Sequence, residues 1–246
     1  MEAVRQDGHA LVFASPAKKA SKEVVLEAVR QDGHSIVFAN EALRADRDIV
    51  LEAVQQDGYT LSYASHGLRA DREVVIEAVR STGYALLFAH EKFCSDKAVV
   101  FEAVQSNWQA LGYASPELRN DKDVVKAAVA TNRQALAMIS DDLRNDPGVV
   151  AEALQADGHA LVYLSRAQQD DKAIVSHALK QDGHSVSYAS SRLQQDIDIA
   201  MQAVSEDGIT LGLLPAEVRA NKSVVLRAID SNVKAFSKLS NCSITF

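Results

Sequence analysis

Residues 71–89 read DREVVIEAVRSTGYALLFA. Val74, Val75, Ala78 and Val79 recur at i, i+1, i+4 and i+5, the spacing of an apolar stripe along one face of a helix. Asp71 stands just before that stripe, where a short acceptor side chain satisfies the orphan N–H groups of a first turn. Thr82-Gly83 ends the stripe, and Gly is the residue expected to close a helix in the left-handed conformation. Ala85-Leu86-Leu87-Phe88-Ala89 then reads as a second, shorter segment of one to two helical turns.

The same reading repeats at a shift of 25 residues. Ala3, Ala28, Ala53, Ala78, Ala103, Ala128, Ala153, Ala178, Ala203 and Ala228 form one column, followed by Val4, Val29, Val54, Val79, Val104, Val129, Leu154, Leu179, Val204 and Ile229. No insertion breaks the register, so the chain is organised as about ten copies of one supersecondary unit. The cap column holds Ser21, Asp46, Asp71, Asp96, Asp121, Asp146, Asp171, Asp196 and Asn221, with Pro147 at a first helical position. Acids two residues on (Glu23, Asp48, Glu73, Asp123, Asp198) complement the helix dipole. Where the Gly column carries Trp108, Arg133 or Val233, the preceding residue is Asn107, Asn132 or Asn232, which predicts that the left-handed turn moves back by one residue.

Ser115-Pro116-Glu117-Leu118 reads as a second cap and a last short helix. Its Leu column (Leu43, Leu68, Phe93, Leu118, Leu143, Leu193, Val218) seals each unit, and Lys18 and Gln168 interrupt it, which predicts looser packing there. The architecture expected is an all-α solenoid, a superhelical array of 25-residue repeats spanning 1–246, each a longer helix plus one or two short helices or 3-10 turns. A horseshoe of strands and helices is the competing reading, weakened by the missing Asn or Cys ladder. Met1 falls in mid-helix without a cap, so the first repeat reads as truncated and the chain as a fragment of a longer array or one with a frayed first turn. Residues 229–246 read as a degenerate last repeat, with Lys234, Phe236 and Lys238 off pattern and NCSITF at the end.

The unit DREVVIEAVRSTGYALLFA and its relatives NDKDVVKAAVATN and ALGYASPELRNDKDVV resemble the repeat of the domain of unknown function 4116 family over essentially the whole chain. The resemblance implies a tandem helical repeat of unassigned biochemical activity, and it brings no catalytic residues.

Composition bounds function. The 246 residues are 47% hydrophobic and 24% charged, with a net charge of −7, which suits a packed core and does not suit a general polyanion binder. No apolar run reaches the ~18 residues of a membrane helix, and the opening residues do not read as a signal peptide. Cys94 and Cys242 form no framework, so a reducing, cytoplasmic location is expected. No cofactor or metal site is expected, and the chain reads as non-enzymatic. His9, His34, His159 and His184 share a column, but neighbours one repeat apart make a poor zinc site, and rings covering the next unit with their nitrogens in water explain them. The glycines occur singly, so no phosphate loop forms. Cys94 has no activating partner.

Two columns make a basic ridge: Lys19, Arg44, Arg69, Arg119, Arg144 and Arg219, then Lys22, Arg47, Arg72, Lys97, Lys122, Lys172 and Lys222. Beside helix N-termini they could hold nucleic acid or anionic lipid headgroups, although cap carboxylates at the same turns favour a rim of ion pairs. An apolar stripe (Leu26, Leu51, Ile76, Phe101) turns polar or small at Lys126, Ala151 and Ser176. Phe101, Trp108, Tyr84 and Ile76 are the partner-binding residues this suggests, since Trp and Phe anchor interfaces; a wider inter-repeat core is the alternative. The function expected is a scaffold for a protein or peptide partner, with the charged ridge or a plain structural spacer as alternatives. Exposed array ends also allow end-to-end self-association.

Overall fold

The computed structural model describes the backbone of residues 2–240 and the side chains of residues 2–232. The chain divides into two compact units, Met1–Thr131 and Asn132–Phe246. The boundary falls beside Arg133, where the glycine column is interrupted.

In the first unit the opening helix Glu2–Gln6 is followed by helices Lys22–Gln31, Arg47–Gln56, Arg72–Ser81, Lys97–Ser106 and Lys122–Thr131, each ten residues long. The second unit carries Pro147–Ala156, Lys172–Gln181 and Ile197–Glu206, again of ten residues, and then Lys222–Ser240. Within each unit every long helix packs on the next. The double-Val and Ala-Val columns supply the contact: Val74, Val75, Ala78 and Val79 are fully buried, as are Val99, Val100, Ala103 and Val104. The caps form as the sequence predicts. Asp71 accepts from Glu73 N and Val74 N at 3.0 and 3.1 Å, and Asp46, Asp96, Asp121, Asp146, Asp171, Asp196 and Asn221 do the same in their repeats. Ser21, a shorter side chain, makes no such bond.

The second segment is a 3-10 helix, Gly83–Phe88 in the example repeat and Gly58–Tyr63 in the one before it. Gly83, Ala85, Leu86 and Ala89 are buried, and three of them, Gly83, Leu86 and Ala89, recur every three positions. That period eclipses side chains at i and i+3 in a 3-10 helix and would spiral them off the core in an α-helix. A short turn of helix closes each unit; Pro116–Arg119 is capped by Ser115, whose Oγ accepts from Leu118 N at 3.4 Å. No strand occurs among the described residues, so the horseshoe reading falls.

The glycines do a different job from the one the sequence suggests. Among the described residues no glycine and no other residue has a positive φ. A Cβ on Gly58 would lie 2.1 Å from the Ala78 carbonyl oxygen of the next repeat, and one on Gly83 would lie 2.3 Å from that of Ala103. The column is therefore a clearance for the neighbouring helix backbone. Asn107 and Asn132 are not left-handed substitutes either. With φ of −153° and −160° they are extended, and they cap the following 3-10 helix by accepting from Gln109 N and Gln134 N. Asp7, Asp32, Asp57, Asp157, Asp182 and Asp207 cap in the same way. At Asn232 no turn forms, because the helix runs on from Lys222 to Ser240. The final segment NCSITF, with Cys242, lies outside the described residues.

Candidate functional site

Successive repeats are tied by a backbone hydrogen bond that no side chain encodes. Ser65 N donates to Arg44 O (2.9 Å), His90 N to Arg69 O (2.8 Å), Ser115 N to Cys94 O (2.7 Å) and Ser190 N to Gln169 O (2.9 Å). At the equivalent place in the second unit Gln168 intervenes. Ser165 N donates to Gln168 Oε1 (2.9 Å), and Gln168 Nε2 donates to Arg144 O (3.2 Å). A side-chain amide thus spans a gap that backbone closes elsewhere. Beside it Ala151 stands where the first unit has Leu51, Ile76 and Phe101. At this junction, short of one large side chain, lies a cleft of about 470 Å³ between helices Pro147–Ala156 and Lys172–Gln181. Val150, Ala151, Leu154 and Ile174 line it, with Gln168 and His177 among its polar groups. Concave, mainly apolar surface with few polar groups is what a ligand side chain fits. The interrupted Leu column and the turn of the apolar stripe to a small residue at Ala151 both point to this looseness.

The residues singled out in the apolar stripe sit in the first unit, and all four are half-buried: Ile76, Tyr84, Phe101 and Trp108. Tyr84 stacks on Tyr59 (centroids 6.2 Å apart, planes at 19°) and meets Tyr113 at 5.9 Å. Partial burial, helped by the phenols of Tyr113 and Tyr59, pushes the Tyr84 hydroxyl above its ordinary range. Trp108 and Phe101 take no part in the ring contacts of the described residues. The pairing that does recur joins position 9 of one repeat to position 13 of the next: His9 with Phe38, His34 with Tyr63, Tyr59 with Phe88, Tyr84 with Tyr113, and His159 with Tyr188.

The histidine nitrogens face carboxylates, not only water. His9 Nδ1 lies 2.7 Å from Asp32, His34 Nε2 lies 2.9 Å from Asp57, and His159 Nδ1 lies 3.1 Å from Asp182, in each case the 3-10 cap of the next repeat. Partial burial acts to raise the Asp57 carboxyl. Bonds from Tyr59 N, the His34 ring and the Thr82 hydroxyl overcome it and hold the group below the usual carboxylate value. Among the described residues no three His, Cys, Asp or Glu gather as a metal site would require. Cys94 is half-buried, and that burial pushes its thiol up, away from the reactive thiolate.

The basic ridge is largely engaged within the protein. Lys22 bridges Asp46 and Asp48 (2.8 and 2.7 Å), Lys97 bridges Asp121 and Asp123 (2.8 Å each), and Lys172 bridges Asp196 and Asp198 (2.8 Å each). Arg47 pairs with Asp71 and Glu73. The hydrogen bonds from Lys97 and Lys172 hold Asp121 and Asp196 below the ordinary carboxylate range. In the other column Arg144 turns back onto its own repeat, donating to Leu136 O (3.0 Å) and Ile139 O (3.1 Å), carbonyls left over at the end of the 3-10 segment.

A family model described as a domain of unknown function (DUF4116) matches residues 21–69, 71–119, 121–167, 171–219 and 196–241. The chain belongs to this family. Each of the first four DUF4116 matches spans nearly two 25-residue units, so the family's own unit is a pair of the repeats seen here. The last two DUF4116 matches overlap by one repeat, as an unbroken 25-residue register permits. No curated protein and no solved structure matches the chain. Among the described residues no helix is long and apolar enough to cross a membrane.

Proposed function

We propose that this DUF4116 chain is a non-enzymatic scaffold whose repeats form one superhelical array along 1–246 and hold a protein or peptide partner. The sequence register passes the boundary between the two units without an insertion, which supports a continuous array. The observation that carries the binding role is the cleft at Ala151 and Gln168. There the protein forgoes a direct backbone tie and keeps an apolar opening of about 470 Å³ on its outside. Many polar groups elsewhere are matched repeat by repeat, in the cap column, the Lys–Asp bridges and the His–Asp contacts. A catalytic centre calls for a unique pocket of perturbed groups, which a repeated environment does not favour.

The test is a selection of random twelve-residue peptides on the full chain, each enriched peptide then titrated against two variants. Ala151→Phe returns the bulk that the first unit has at this position and fills the cleft; Phe101→Ala with Trp108→Ala strips the half-buried rings of the first unit. The scaffold reading expects enriched peptides whose affinity falls at least tenfold in Ala151→Phe. Recovery of no peptide above background, or peptides indifferent to both variants, would remove it.

A further inference from the structure

Along the outer face of the first unit's long helices, a basic side chain near the end of one helix meets an acid on the next. Arg5 pairs with Glu27 (3.5 Å), Arg30 with Glu52 (3.7 Å) and Arg80 with Glu102 (3.0 Å). In the second unit Glu152 keeps the acid, but at the next three positions of the column His177, Gln202 and Arg227 stand where Glu27, Glu52 and Glu102 stand. Lys180, in the position of Arg80, therefore faces Gln202, whose Oε1 is buried without a hydrogen-bond partner. Arg227 donates its Nε to Ser205 Oγ (2.7 Å) and pairs with Asp230 of its own helix (3.6 Å), not with an acid or base of the preceding helix. Between helices Lys172–Gln181, Ile197–Glu206 and Lys222–Ser240 lies a second cleft of about 360 Å³, lined by Lys180, Arg227, Gln202, Glu206, Leu179 and Met201.

We infer that the second unit binds an acidic peptide: an apolar side chain enters the cleft at Ala151 and Gln168, and a carboxylate lodges between Lys180 and Arg227. This rests on the scaffold reading and assigns its partner a chemistry. The two clefts flank one helix, Lys172–Gln181, which contributes His177 to the first and Lys180 to the second. Their centres are thus at least one helix spacing apart, ~8–10 Å. An extended chain advances ~3.3 Å per residue, so the matching segment has its acid at least about three residues after its apolar residue. The carboxylate gives Lys180 the partner that Glu102 gives Arg80. A nucleic acid fits less well, because Glu206 borders the cleft and would meet its repeated phosphates, where a peptide brings a single carboxylate to Lys180 and Arg227.

Fluorescence anisotropy on the full chain tests this with labelled peptides carrying Leu-Ser-Ser-Glu, Leu-Ser-Ser-Lys or Leu-Glu, and with a twelve-nucleotide single-stranded RNA. The expected result is preference for Leu-Ser-Ser-Glu. Its affinity should fall at least tenfold in Lys180→Glu with Arg227→Glu, in Ala151→Phe, and in Gln202→Glu, which returns an internal acid to Lys180. Circular dichroism melting confirms that the variants fold. Equal binding of the Glu and Lys peptides, both lost in Ala151→Phe, would overturn the acidic preference and leave the scaffold standing. Absence of binding by the Leu-Ser-Ser-Glu peptide, or RNA binding that disappears in the charge variants, would overturn the inference outright.

Discussion

Replacing Gly58 by Ala separates the two roles a glycine at this position could have. If Gly58 served a left-handed turn, any glycine in a turn would resist substitution. Its φ is not positive, however, and the obstacle is the Ala78 carbonyl oxygen 2.1 Å from where the methyl group would sit. That oxygen belongs to the last hydrogen bond of helix Arg72–Ser81, accepting from Thr82 N at 2.9 Å. Forcing a methyl into packed surroundings costs about 1–3 kcal/mol, and weakening the helix-end bond adds up to about 1 kcal/mol. Restricting the unfolded chain returns about 0.4–1 kcal/mol, so a net loss of about 2 kcal/mol is expected. Gly33→Ala, with its carbonyl at 2.9 Å, should lose less. Gly212→Ala meets nothing within 4 Å and should gain the small unfolded-state term alone. Urea unfolding followed by circular dichroism gives the order, and hydrogen exchange at the Thr82 amide reports the local effect if the repeats do not unfold together. A Gly58→Ala protein as stable as the parent, or a Gly212→Ala protein equally damaged, would refute the clearance argument.

Two further outcomes bear on the same geometry. Asn107→Asp should leave the melting temperature nearly unchanged, because the carboxylate still accepts from Gln109 N, whereas Asn107→Ala should lose about 1 kcal/mol of cap and Asn107→Gly roughly a few tenths; a stabilising Asn107→Gly would return the left-handed reading. Asp57, Asp121 and Asp157 all sit below their ordinary value of 3.8 in the folded protein, so the stability they contribute is complete above that pH and is lost as acid carries the pH down through their folded values. Melting temperatures measured from pH 6 to 2.5 should be flat and then fall, less steeply in a variant with all three changed to Asn; a fall that begins above pH 5 and is insensitive to those changes would place the acid lability elsewhere.

The repeat, its helix caps and its buried columns were legible because each rests on side chains that recur every 25 residues. Two features were not. The glycine column looks the same whether a backbone must twist or a neighbour must come close, and only the Ala78 oxygen beside Gly58 decides between them. The backbone tie from Ser65 N to Arg44 O involves atoms that every residue has, so it leaves no mark in the sequence until Gln168 displaces it. The rim of ion pairs was legible too, because the cations and the cap carboxylates share one turn. Lys22, Lys97 and Lys172 pair with Asp46, Asp121 and Asp196, and one carboxylate serves both as cap and as partner.

This double use explains why function should be sought in departures from the period. A repeat whose acids cap a helix and also bind the preceding repeat's lysine has little charge left to offer a partner. Each substitution that breaks the pattern without breaking the fold releases something specific. Ala151 releases volume, Gln168 releases a backbone tie, and Gln202 releases Lys180 from the acid that Arg80 keeps. All three fall in the second unit, on or beside the single helix Lys172–Gln181. Phe101 and Trp108 are conspicuous by residue type, Trp108 in a column that elsewhere holds glycine; the second unit is distinguished by what it lacks, and a partner can supply only what is missing.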